Sequence, residues 1–214
     1  MRRRAPTACD GTGTVRDTVT AVSRTVVGAG PCDRGTGHRR RTRRELAAGL
    51  PGRAGAAAPG HRRAHRFGRR PHRGELIVDE DLAPEVIAIF ERLYRLGYPV
   101  EKIRTVDHYP DADDELSMED NNTSAFNCRR IPGTDEWSPH AYGRAIDLNP
   151  LVNPCLYASG YFEPRNAAAY LDRGRTDPGL LHVGDPAVRA FTDRGWRWGG
   201  DWTAPLDYQH FERP

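Results

Sequence analysis

Lysine is nearly missing from this chain: Lys102 stands alone beside 31 Arg, a bias that marks a GC-rich gene. Large apolar residues are missing from its first third. Residues 1–70 hold no Ile and only Phe67 of the 18 aromatics, so they lack the groups whose burial offsets the entropy of ordering a chain. No stretch approaches the roughly 20 apolar residues of a membrane-spanning helix. The start, Met-Arg-Arg-Arg, lacks the continuous apolar segment of a secretory signal, because Asp10, Asp17 and Arg24 interrupt it; no signal peptide is expected. Cysteine is scarce, and Cys9, Cys32, Cys128 and Cys155 form no CxxC and no zinc-ribbon spacing. Cys128 and Cys155 are left with two readings, a disulfide in an oxidising compartment or two buried thiols.

The charge is divided between the two parts. Residues 1–70 carry 17 Arg against 4 Asp or Glu, a net of +13, so with a chain total of +3 residues 71–214 carry −10. Residues 1–70 are expected to be a disordered Arg/Gly/Ala-rich segment or the product of out-of-frame translation. A nucleic-acid arm is the lesser reading, since charge runs are usually just solvated. Residues 71–214 are long enough to bury a core unaided. The expected fold class is α+β, a compact domain with an antiparallel sheet flanked by helices.

Within that domain residues 75–78 read as a strand. Val86, Ile87, Ile89, Phe90, Leu93 and Tyr94 recur at helical spacing up to a stop at Gly97. Residues 102–106 and 123–129 read as strands, residues 111–122 as a solvated acidic loop, and residues 166–172 as a short helical segment. Asp185, Pro186 and Gly195 bracket a capped helix. The last strand carries residues 208–211.

The chemistry concentrates in Ser138, His140, Gly143, Ala145 and Asp147. Zinc takes imidazole and carboxylate ligands, and a catalytic zinc keeps three protein ligands and one open position. His140 and Asp147 supply two, and His210 is the natural third. Asp207, three residues before His210, is then available as the general base toward a metal-activated water. Period-two alternation puts Ala145 and Asp147 on one face of a strand. Gly143 permits the turn that returns His140 toward them. Residues three apart on a regular strand face opposite ways, so an irregularity is expected between Asp207 and His210.

Ser-x-His-x-x-Gly-x-Ala-x-Asp followed by Asp-x-x-His resembles the zinc D-Ala-D-Ala carboxypeptidases, dipeptidases and L-Ala-D-Glu endopeptidases of bacteria and phages. The resemblance runs from about residue 73 to residue 212. It implies one catalytic zinc, a hedgehog/DD-peptidase-like fold, and hydrolysis of an amide bond in peptidoglycan stem peptides, of the D-alanyl-D-alanine carboxypeptidase type. It further implies an arginine before the first histidine for the substrate carboxylate or oxyanion; Arg129 is the candidate and Arg104 the alternative. Within the family an L-Ala-D-Glu endopeptidase or endolysin is the other reading. A non-catalytic zinc-binding wall module would have no need of Asp207. Ser138 orients a ligand or shapes the turn. Trp196, Trp198 and Trp202 line the cleft or pack the core, while Trp137 and Tyr142 flank the motif. His108 and His182 read as structural. The expected partner is a peptidoglycan peptide, with no nucleic acid and no membrane span, acting as a monomer outside the cytoplasm or at the cell wall.

Overall fold

The computed structural model describes residues 74–214, and upstream of them only the backbone of two strands, β1 (Ser23–Thr25) and β2 (Thr42–Glu45). β1 pairs antiparallel with β2 and parallel with β3 (Ile77–Val78). Apart from those backbones, the expectation for residues 1–70 lies outside the described residues.

The helix foreseen from hydrophobic spacing is α1 (Ala83–Leu96), with proline in its first turn and Val86, Ile89, Phe90 and Leu93 buried along one face. It ends where Gly97 turns left-handed at φ 66° and its N–H reaches the Leu93 and Tyr94 carbonyls, a closure that glycine adopts without a Cβ penalty. β4 (Lys102–Ile103) pairs parallel with β5 (Asn122–Thr123). Between them the acidic loop is partly helical. α2 (Asp114–Glu119) forms because the Asp113 carboxylate accepts from the Leu116 N–H, and Asp114 and Glu115 suit a helix start. The strand expected over 123–129 is confined to its first residue, and the segment at 166–172 is a single 3-10 turn, Ala168–Tyr170.

Two small antiparallel sheets hold the rest. β6 (Ala145–Asp147), β11 (His210–Glu212) and β9 (Arg197–Trp198) form one, in the order β6-β11-β9. β10 (Leu206–Asp207), β7 (Cys155–Leu156) and β8 (Phe162–Glu163) form the other, in the order β10-β7-β8. The fold is thus α+β, its antiparallel pairing divided into short sheets. α3 (Pro186–Thr192) starts at proline as expected, but the Asp185 side chain does not cap it and instead accepts from the His182 N–H.

The core backs the strands that carry the motif. Ile146 and Phe211 are fully buried, and Phe211 stacks on Phe191 of α3 at 3.9 Å between ring centroids. Burying a side chain of this size contributes about 1.5–3 kcal/mol, and it clamps β6 and β11 from behind. Trp196 and Trp198 belong to this core. Cys155 is a free buried thiol and Cys128 is disulfide-bonded, so these two do not pair.

Gly143 has two independent reasons to be glycine. Its φ is +68°, and a Cβ there would lie 2.6 Å from the Asp79 nitrogen. Gly143→Ala is expected to destabilise the domain by about 2 kcal/mol or more, lowering the midpoint of thermal unfolding by about 5 °C. An unchanged midpoint would remove this account of the turn.

Candidate metal centre

His140, Asp147 and His210 converge because three local structures aim them at one point. Register places His210 directly opposite Asp147 and Glu212 opposite Ala145. Alternation then turns Asp147, His210 and Glu212 toward the site, and Ile146 and Phe211 toward the core. His140 arrives from the 3-10 turn Pro139–Tyr142, whose start is capped by Ser138 Oγ accepting from the His140 N–H at 3.3 Å. Ser138 therefore shapes the turn.

His140 Nε2 lies 3.1 Å from Asp147 Oδ2 and 3.2 Å from His210 Nδ1, while His210 Nδ1 lies 3.1 Å from Asp147 Oδ1. All three residues are buried. One ligand atom from each falls within 4.8 Å of the others, and among the described residues this group could hold a metal ion.

The outer contacts fix which nitrogens face inward. His140 Nδ1–H donates to the Ala125 carbonyl at 2.5 Å, leaving Nε2 with its lone pair toward the centre. His210 Nε2 faces Glu212 Oε2 at 3.5 Å, leaving Nδ1. This is how proteins set the tautomer of a metal-binding imidazole. Two nitrogens and one carboxylate oxygen, oriented in advance, are a donor set that zinc accepts. The role of Glu212 was missed in the sequence, although its place two residues after His210 on one strand was a signal for it. Glu212→Gln is expected to weaken zinc affinity by about 10-fold or more, measured by chelator competition; equal affinity would reduce Glu212 to a surface carboxylate.

Electrostatics follow from burial and proximity. Burial opposes ionisation of Asp147, yet the His140 and His210 imidazoles outweigh it and hold the carboxyl far below the usual range. Burial alone would lower His210, but the bonds to Asp147 and Glu212 raise it to about 10. Trp202 leans on the His210 ring with centroids 5.3 Å apart, so of the three tryptophans it is the one beside the centre.

The expected irregularity before His210 is present: β10 ends at Asp207, β11 begins at His210, and each pairs with a different sheet. The break removes the objection that Asp207 and His210 must face opposite ways. Asp207 feels the charges of His210, Asp147 and His140, and burial pushes its carboxyl up to about 6. Arg129 pairs with Asp114 at 2.8 Å. Burial works against its charge, but Asp114, Asp147 and Asp207 together raise its pKa, so its guanidinium lies within the field of the centre. Arg104 is exposed, and the Asp120 and Tyr109 groups feel its charge. Trp137 lies under the Arg130 guanidinium at 4.9 Å, and Tyr142 is exposed.

Residues 132–213 match the family model described as D-alanyl-D-alanine carboxypeptidase. This agrees with the family that the motif resembles. The match contains His140, Asp147, Asp207 and His210, whereas Arg129 lies just before it. No curated protein and no solved structure matches the chain. Among the described residues no helix is long and apolar enough to cross a membrane.

Proposed function

We propose that this chain is a zinc-dependent metallopeptidase that hydrolyses an amide bond in peptidoglycan stem peptides, in the manner of a D-alanyl-D-alanine carboxypeptidase. The observation that carries the proposal is the buried His140/Asp147/His210 cluster, with imidazole tautomers already set, inside the segment that matches the family model. A zinc ion held there would polarise the scissile carbonyl and supply an acidified water.

The protein's own groups do the rest. Asp207 takes a proton from the attacking water as its oxygen adds to the carbonyl carbon. When the C–N bond breaks, Asp207 returns that proton to the leaving amine. Its carboxyl near 6 suits both duties at neutral pH. Arg129, kept cationic by Asp114, Asp147 and Asp207, binds the substrate's terminal carboxylate or the developing oxyanion. Arg129→Ala is expected to lower kcat/KM by about 10², and an unaltered value would return the role to another group. The presence of Asp207 at the cluster counts against a non-catalytic zinc module. A wall substrate places the action outside the cytoplasm.

The test is mass spectrometry of purified muropeptides incubated with zinc-loaded protein, beside a chelator-treated sample. Zinc-dependent loss of one alanine is the expected result. Release of a larger stem fragment would favour the L-Ala-D-Glu endopeptidase reading. No product from folded, zinc-bound protein would overturn both.

A further inference from the structure

The sheet β10-β7-β8 brings a thiol to the candidate base. Asp207 lies directly across from Cys155, and Cys155 directly across from Glu163. Residues opposed in antiparallel strands share a face, so these three side chains stand in one row. Cys155 is 4% exposed and free. Its thiol and the Asp207 carboxylate, opposed across the strand pair, act on each other's ionisation. Asp207 Oδ1 is buried with no hydrogen-bond partner, so the protonated thiol opposite is the donor set against an orphaned acceptor.

The neighbours restrict this pair. Gly199 approaches Asp207 so closely that a Cβ would lie 2.5 Å from the Asp207 carbonyl oxygen and 2.8 Å from its Cβ, which pins the main chain. Tyr157 donates to Glu163 Oε2 at 2.8 Å, so the last carboxylate of the row has a partner of its own. Burial drives the Cys155 thiol far above its ordinary range, followed by the charge of Asp207. A thiol that stays protonated is a donor and a poor nucleophile.

We infer that Cys155 is a positioning residue for Asp207: its S–H holds the carboxylate in the rotamer from which the base meets the attacking water. The inference rests on the reading of Asp207 as general base. A carboxylate whose backbone is fixed can still rotate about its side-chain bonds, and a base out of line loses rate without losing substrate affinity. One buried donor across the sheet removes that freedom.

The test compares Cys155→Ala, Cys155→Ser and Asp207→Asn with the full chain, each loaded with zinc. Cys155→Ala should lower kcat by about tenfold with KM and zinc affinity unchanged. Cys155→Ser, which keeps a donor, should recover most of the loss; equal losses in the two variants would mean that the thiol only packs, and would overturn the inference. The infrared S–H stretch, assigned by its absence in Cys155→Ala, should move to higher frequency in Asp207→Asn as the acceptor loses its charge. An unmoved band overturns the inference whether or not a substrate is turned over. An inactive Asp207→Asn with a fully active Cys155→Ala would overturn the role of Cys155 alone. An Asp207→Asn variant as active as the native chain would overturn the base assignment, and the role of Cys155 with it.

Discussion

Asp207→Asn is expected to lower kcat by about 10²–10⁴ while leaving zinc bound, because the variant keeps the shape of the side chain and loses its ability to take a proton. The sign of the pH dependence follows from the same group. A base works when deprotonated, so kcat/KM should fall on the acid side as pH drops through about 6, where burial has pushed the Asp207 carboxyl. A bound cation favours the ionised form, which places the limb at or below that value. The pH profiles of the native chain and the variant check this. If the residual activity of Asp207→Asn kept the same acid limb, another group would be the base.

Removing the ion should have the largest effect, a complete loss of turnover on chelation that zinc restores. Its pH dependence can also be worked out. In the metal-free protein Asp147 is held far below its ordinary range by His140 first and then by His210, and His210 is raised to about 10 by Asp147 and Glu212, in each case against the cost of burial. The stability contributed by Asp147 is present above about pH 4, the unfolded carboxyl value, and is lost as pH falls below it. The stability contributed by His210 is fully present below about pH 6.5 and is lost as pH rises through its folded value near 10. Zinc must displace the proton that the two share, since a metal ligand must be deprotonated. Zinc affinity is therefore expected to rise about tenfold per pH unit between about 7 and 9, with one proton released per ion. Calorimetry in buffers of different ionisation enthalpy measures that proton directly. Affinity that stays flat over this range would mean that His210 is already neutral, and the Asp147 pairing would not be what holds its proton. Asp147→Ala should lose both the ion and the acid-side stability.

The comparison of sequence and structure is clearest at single residues. The cluster of His140, Asp147 and His210 was legible because metal chemistry restricts residue type severely, Asp207 stood out as a candidate base beside it, and Gly143 separates two candidate ligands that must meet. α1 was legible because Val86, Ile89, Phe90 and Leu93 repeat at the helical period and Gly97 ends it. The opposite case is α2: an acidic run carries no apolar period, and its helix depends on a local carboxylate bond from Asp113. The strand expected over 123–129 was short because its backbone turns to three separate segments, Ser124 bonding Asp147, Phe126 bonding Ile77 and Asn127 bonding His140, and not to one partner strand.

By itself the sequence picked out the candidate ligands and the candidate base, and the helix whose apolar face fills the core. These are set by chemistry and period within a few residues. The tertiary structure alone decided that Glu212 reaches His210, that Ala125 sets the His140 tautomer, that Trp202 and not Trp198 borders the centre, and that Cys155 faces Asp207. Each of these depends on strand register or on the packing of segments distant in the chain. A one-residue slip of a strand would move every such partner to the other face, and no local pattern records that choice.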